Sequence, residues 1–353
     1  MKVSKKFGMG LLALGLCTTL VACGSNDKGD KKESKGSDGQ HTVALVTDLG
    51  GVDDKSFNQS AWEGLQEWGK ANKLEKGNGG FNYYQSNSDS EFDTNINTAL
   101  NDGFETIFGI GYKLKPAIDA AAAANADKNF VLIDDQIDGK DNVASVVFKD
   151  NEAAYLAGIA AAMTTKSNKV GFVGGQEGDV IGRFDAGFEA GVKSVNKDID
   201  VSSSYVGSFG DAPKGKATAE AMYGKGIDII YHASGDTGNG VFTAAKDIIK
   251  ADKDKKVWVI GVDRDQTAEG KEGELNVTLT STLKGVSKVV QDLATQANDG
   301  KFPGGEHLVY GLKEDGVDLS EGQLSDEIKE AVNKAKEEIK EGKIEVPEKP
   351  AKK

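Results

Sequence analysis

Two kinds of stretch alternate along the chain. Short apolar runs at 42–47, 81–85, 106–110, 129–133 and 143–148 read as buried strands, and a second set follows at 169–173, 201–206, 228–233 and 257–262. Between them lie longer segments with apolar residues at helical spacing, among them 57–72, 151–165, 212–225 and 241–251. Such repeated succession of strand and helix predicts an α/β architecture of parallel sheets covered by helices on both faces. The two sets part near 149–151, and two similar lobes account for them better than one giant sheet. Past Asp263 the pattern offers only a strand at 277–282, a helix at 286–297 and a strand at 307–312, too little for a third domain. That remainder predicts a chain that crosses to the first lobe and returns to the second, so that three hinge strands join them. The expected division is 41–149 with 265–300 for the N-terminal lobe and 150–264 with 301–343 for the C-terminal lobe. The helix at 326–340 alternates Lys and Glu at i,i+4 spacing, the pattern of a solvated surface helix, and 344–353 reads as a polar tail.

The start of the chain stands apart from this pattern. Lys2, Lys5 and Lys6 precede an apolar run from Phe7 to Ala22, a charged segment followed by a hydrophobic one of secretory type. The run is too short and too one-sided for a transmembrane anchor. It closes on Leu20-Val21-Ala22-Cys23-Gly24, which resembles the lipobox of bacterial lipoproteins. That resemblance implies a signal peptide over 1–22, cleavage before Cys23, and lipidation of Cys23 as the new N-terminus, carrying diacylglyceryl and palmitate groups. An ordinary signal peptide cleaved near the same Ala, with Cys23 a bystander, is the alternative. From Gly24 to Gln40 no apolar residue occurs, so this stretch cannot build a core and is expected to be a disordered tether. Its average span is on the order of 20–25 Å. The predicted location is the extracytoplasmic face of the cell membrane, with the body held by a lipid anchor.

Composition then narrows the chemistry. The only cysteines are Cys17 and Cys23, so a globular part beginning after them has no disulfide, zinc–thiolate cluster or catalytic thiol. His41, His232 and His307 are scattered without metal-ligand or triad spacing, and neither a metal nor another cofactor is expected. The formal charge is -13; without the three signal lysines, 40 basic residues face 56 acidic ones, a formal -16. A body so acidic repels phosphate backbones, which argues against nucleic-acid binding. Tethered and strongly acidic, it is expected to be a monomer.

In open parallel sheets ligands bind beyond the carboxyl ends of the strands, where loops diverge and helix N-termini point inward. Asp48, Asp135 and Asp263 each follow a predicted strand in this way, as do Phe209 and Gly235 in the second set. A single Asp in such a place also serves as a helix cap or turn residue. Three of them beside aromatics suit acceptors for ligand hydroxyls, as on a ribose or another sugar. Phe57 opens a polar helix start between Ser56 and Asn58. There it either packs as a staple against the helix or lays its ring over a flat ligand, with Phe209 supplying the opposite face. Gly210-Asp-Ala-Pro-Lys-Gly-Lys216 matches the first seven positions of a P-loop, but Ala217 stands where magnesium needs a hydroxyl, so nucleotide hydrolysis is not expected.

Taken together, Asp48-Leu-Gly-Gly-Val-Asp-Asp-Lys-Ser-Phe-Asn-Gln-Ser-Ala-Trp-Glu-Gly64, Val131-Leu-Ile-Asp-Asp135, Val170-Gly-Phe-Val-Gly-Gly175, Gly207-Ser-Phe-Gly-Asp211 and Val259-Ile-Gly-Val-Asp-Arg-Asp265 with Ser281-Thr-Leu-Lys284 resemble the basic membrane protein family of substrate-binding lipoproteins, in particular its purine-nucleoside receptors. The resemblance covers nearly all of the chain after the tether. It implies the two-lobed type I periplasmic-binding-protein fold, with each lobe a doubly wound parallel sheet and three hinge crossovers. It further implies a guanosine, adenosine or inosine held between the lobes, delivered to the permease and ATPase subunits of an ABC importer. Carried over by position, Phe57 and Phe209 would sandwich the base while Asp48 and Asn58 bond its polar edge. Asp135, Asp263 and Lys284 would take the ribose hydroxyls, and Gly235 would allow close backbone approach.

No catalytic residue is expected. A nucleoside-processing enzyme would need an acid or a calcium-type Asp cluster that this sequence lacks. A sugar receptor, or a sensory co-receptor on the same fold, would use the same residue types and remains the alternative.

Overall fold

The computed structural model describes residues 40–350. The expected signal peptide over 1–22, the expected lipidation site Cys23, the expected tether up to residue 39 and the last three residues lie outside the described residues.

In chain order the elements are β1 Val43–Thr47, α1 Phe57–Ala71, β2 Phe81–Tyr84, α2 Phe92–Asn101, β3 Thr106–Ile110, α3 Lys115–Ala124, β4 Asn129–Ile133 and β5 Val143–Phe148. The second half continues with α4 Asp150–Thr164, β6 Lys169–Gly174, α5 Asp179–Val195, β7 Asp200–Tyr205, α6 Ala212–Gly224, β8 Ile229–Ala233, α7 Thr237–Ala251 and β9 Trp258–Gly261. A short hairpin, β10 Lys271–Glu272 and β11 Leu275–Asn276, precedes β12 Thr278–Lys284, α8 Val286–Asn298, β13 His307–Tyr310, β14 Val317–Leu319 and α9 Asp326–Lys340.

The strands form two six-stranded sheets, in the order β13-β5-β4-β3-β1-β2 and β14-β12-β9-β8-β6-β7. All pairs within them are parallel except β12 with β14. The apolar runs are continuous in the central strands because both faces are covered by helices. On β1, Val43 and Leu45 enter one core while Ala44 and Val46 enter another, and on β4 Val131 and Ile133 part in the same way from Phe130 and Leu132. Edge strands are more polar: β7 reads Asp-Val-Ser-Ser-Ser-Tyr, and β13 alternates exposed and half-buried residues.

Strand order reverses between β1 and β3 in one sheet and between β6 and β8 in the other. These are the doubly wound switch points, and they place both crevices at the carboxyl edges of the sheets.

Three segments join the lobes: Lys149 between β5 and α4, Gly285 between β12 and α8, and 311–316 between β13 and β14. This corrects the second half of the expected division. Residues 278–284 were expected in the N-terminal lobe, but β12 pairs with β9 in the second sheet; 307–310 were expected in the C-terminal lobe, but β13 pairs with β5 in the first. Inter-strand bonding, which a local apolar run cannot encode, decides both.

Two surface expectations change as well. Helix α9 buries Ile328, Val332, Ala335 and Ile339 and packs on α4, so it is amphipathic rather than solvated all round. The segment expected to be a plain polar tail buries Val346, whose carbonyl accepts a hydrogen bond from Asn151 Nδ2 at 2.9 Å.

Helices α4 and α5 approach closely enough that a Cβ on Gly191 would lie 2.1 Å from the carbonyl oxygen of Tyr155. Neither backbone can yield without moving its helix. Gly191→Ala is therefore expected to lower stability by about 1–3 kcal/mol, read as a shifted denaturant midpoint. An unchanged midpoint would contradict this packing.

Candidate functional site

Six strand ends, three from each sheet, converge on a cavity of about 490 Å³ counted with its mouth. The first sheet contributes Asp48 after β1, Gly111 and Tyr112 after β3, and Asp134 after β4. The second contributes Ala233, Ser234 and Gly235 at the end of β8, Val262 and Asp263 after β9, and Lys284 at the end of β12. Asp54, Phe57 and Asn58 reach in from the start of α1, Val180, Ile181 and Phe184 from the first turns of α5, and Phe209 from the loop after β7.

Seven of the eight expected ligand residues thus line one cavity: Asp48, Phe57, Asn58, Phe209, Gly235, Asp263 and Lys284. Asp135 does not. Its Oδ1 accepts from its neighbour's amide, Gln136 N, at 2.7 Å and pairs with Lys115 at 3.0 Å, beside an adjoining recess. The inward carboxylate is Asp134. Asp134 and Asp263 hold left-handed backbone conformations, with φ of 76° and 65°. Asp tolerates that region better than most residues, and such conformations cluster at functional sites.

The polar groups form two clusters, one around Asp48 and one around Lys284, and Ser56 links them, its amide donating to Asp54 and its hydroxyl to Asp263. In the first, Asp48 Oδ1 accepts from Asn58 Nδ2 at 2.6 Å and from Gly50 N at 3.2 Å. Asn58 Nδ2 also donates to Asp54 Oδ2 at 3.0 Å, and Asn58 Oδ1 accepts from Asp48 N at 3.3 Å. Both amide hydrogens of Asn58 are therefore engaged, and its part here is to hold Asp48. Asp54 also accepts from the backbone amides of Ser56, Asn58 and Gln59, which fixes the start of α1. Burial, opposed by the Asn58 and Gly50 hydrogen bonds, pushes Asp48 up to about 6.

The second cluster is built on Lys284. Its Nζ lies 2.7 Å from both oxygens of Asp134 and 3.2 Å from Asp150 Oδ1, with side-chain exposures of 4 %, 6 % and 1 % in that order. Arg183 backs Asp150 at 3.3 Å. Burial would lower the lysine, but Asp134, Asp150 and Asp263 reverse that and raise it, so the ammonium stays charged. The rings of Phe57 and Phe148 each lie 5.0 Å from it. Burial raises Asp263 to about 7, against the pull of Lys284 and Ser56.

The lobes touch across the mouth. Ser56 Oγ donates to Asp263 Oδ2, Gln266 Nε2 to Lys55 O at 2.9 Å and Asn239 Nδ2 to Asp54 O at 3.2 Å, while Arg264 pairs with Glu63 at 2.9 Å. The conformation is a closed one.

Sequence reasoning missed Tyr112 and Phe184. Tyr112 follows a strand end and was open to the same rule as Asp48; its ring stands edge-on to Phe209 at 6.4 Å and 78°. Phe184 lies more than a turn inside a helix, where spacing makes it look like core. Gly235 has φ of 56° and lies against the Phe209 carbonyl, with little room for a Cβ. No group of side chains suited to a metal ion occurs among the described residues.

The family model described as Bmp, ABC transporter substrate-binding protein PnrA-like, matches residues 41–350. The chain belongs to this family. A relative in Listeria monocytogenes, named CD4+ T-cell-stimulating antigen, is 52% identical over 94% of this chain and 95% of its own. In Lactococcus lactis subsp. cremoris, the ABC transporter nucleoside-binding protein BmpA is 50% identical over 96% of this chain and 97% of its own. Among solved structures, an ABC transporter solute-binding protein from Aeropyrum pernix superposes with a TM-score of 0.77 at 26% identity, covering 87% of this chain and 94% of that one. This Bmp-family chain is thus an ABC transporter substrate-binding protein with the two-lobed α/β fold of solute-binding proteins.

Proposed function

We propose that the protein is a lipid-anchored receptor on the outer face of the cell membrane that captures purine nucleosides between its lobes and hands them to an ABC permease and its ATPase. The observation that carries this reading is the make-up of the cavity: aromatic rings from both lobes, Phe57 and Phe209, beside polar clusters centred on Asp48 and on Lys284. A flat base suits the rings and the Asp48 cluster; a vicinal diol suits Asp134, Asp263 and Lys284. The nucleoside-binding relative at 50% identity supports it.

Ligand that bridges both lobes would favour the closed form by the difference of its contacts in the two states. Among the described residues no helix is long and apolar enough to cross a membrane, so in this reading the permease supplies the channel. A lipid on Cys23 would hold the body near it.

Calorimetric titration of ligand-free protein with guanosine, inosine, adenosine, uridine, ribose and galactose tests the reading. Purine nucleosides are expected to bind far more tightly than ribose. Phe57→Ala is expected to weaken them by roughly 5- to 150-fold, the loss of about 1–3 kcal/mol of stacking. Heat with a sugar and none with any nucleoside would overturn the assigned ligand and leave the fold and family untouched.

A further inference from the structure

We propose that Asp48 sorts purine bases by the proton it carries: ionised, it accepts the N1–H of a 6-oxopurine nucleoside; protonated, it donates to the bare N1 of a 6-aminopurine. This rests on the nucleoside reading above and goes beyond it to the discrimination between bases.

The geometry leaves one atom to do the reading. Asp48 Oδ1 is committed to Asn58 and Gly50, and neither hydrogen of the Asn58 amide remains for a ligand. Oδ2 accepts no hydrogen bond among the described residues, and Asp48 lines the cavity. Gly111 keeps that oxygen accessible: a Cβ there would come within 3.2 Å of Oδ2.

The groups facing Asp48 are Asn58 and Asp54 from α1 and the loop before it, Tyr112 after β3 and Asp134 after β4. None is a cation. Asp54 is held by amide donors and Asp134 by Lys284, so both press negative charge on Asp48 without offering it a counter-ion. Burial adds to this, leaving the carboxyl near 6. Protonating it at neutral pH costs roughly a tenfold factor in binding, small enough for a ligand hydrogen bond to offset.

The two bases then couple to protons with opposite sign. An N1–H donor stabilises the ionised carboxylate, so inosine binding releases any proton on Asp48 and weakens as pH falls below about 6. A bare N1 stabilises the protonated form, so adenosine binding takes up a proton and weakens as pH rises above about 6. Protons released at the diol end are common to both nucleosides and cancel in the difference.

The test is calorimetric titration of the full-length chain with inosine and adenosine between about pH 5 and pH 8, in buffers of differing ionisation enthalpy. Adenosine is expected to take up close to one proton more than inosine above about pH 6, and the inosine-to-adenosine affinity ratio to climb by up to about tenfold per pH unit. In Asp48→Asn, whose oxygen takes the bonds from Asn58 and Gly50 and whose NH2 faces the ligand without titrating, the ratio is expected to be flat with pH. Equal proton counts in the wild type, or adenosine silent at every pH, would overturn the proposal, as would a pH-dependent ratio surviving in Asp48→Asn. If Asp48→Asn does not fold, the wild-type proton count decides. Absence of all nucleoside binding sinks the functional reading instead, whereas nucleoside binding with a flat ratio sinks only the sorting by proton.

Discussion

Lys284→Met is expected to destabilise the protein by about 3–5 kcal/mol at neutral pH, because it leaves buried carboxylates without their cation. Asp134 and Asp150 are almost completely buried, and among the described residues Lys284 is the one cation paired with both, at 2.7 and 3.2 Å. Asp150 is already raised by burial even with Lys284 beside it. In the variant that rise grows. A carboxyl whose folded pKa exceeds its unfolded value holds more protons folded than unfolded, so stability falls as pH climbs between the two. The deficit of Lys284→Met should therefore shrink as pH drops toward the ordinary carboxylate range. Urea denaturation of variant and wild type across that range reads it directly. A loss under about 1 kcal/mol at neutral pH, or one that grows on acidification, would mean that the lysine does not neutralise this cluster.

Asp263→Ala is expected to weaken purine-nucleoside binding by about a hundredfold or more. The side chain has two tasks in the closed form: one oxygen accepts from Ser56 of the opposite lobe, and the carboxylate lines the cavity where the proposed ribose sits. Hydrogen bonds to charged groups contribute about 1.5–3 kcal/mol each, so losing one to ligand and one across the lobes reaches that factor. Asp263 also carries a pH signature. Burial holds it at about 7, and hydroxyls donating to it favour the ionised form. Binding then releases protons, and affinity should rise with pH through about 7 and level off above it. Asp263→Asn should lose that slope at the diol end. A tenfold or smaller effect of Asp263→Ala would place the ribose elsewhere.

Much of this site was legible in the sequence because strand ends are local. The run Phe130-Val-Leu-Ile133 ends in two aspartates, and periodicity alone cannot say which turns inward; the left-handed backbone of Asp134 makes that choice. Tyr112 sits two residues after β3, within reach of the strand-end rule that picked out Asp48 and Phe209. Phe184 and Arg183 are different, because their roles depend on how α5 docks against the hinge. The lobe division failed for the same reason: Leu279 and Leu308 both read as strand positions, and pairing with β9 or β5 settles which sheet takes each. In α9 the apolar spacing of Ile328, Val332, Ala335 and Ile339 was present, and the surrounding Lys and Glu obscured it.

A crystal structure of the protein with inosine tests the assigned site most directly. The base is expected between Phe57 and Phe209 with N1 against Asp48 Oδ2, and the ribose hydroxyls on Asp134, Asp263 and Lys284. A nucleoside seated the other way round, with its ribose at Asp48, or an empty cleft beside saturating inosine, would contradict the assignment.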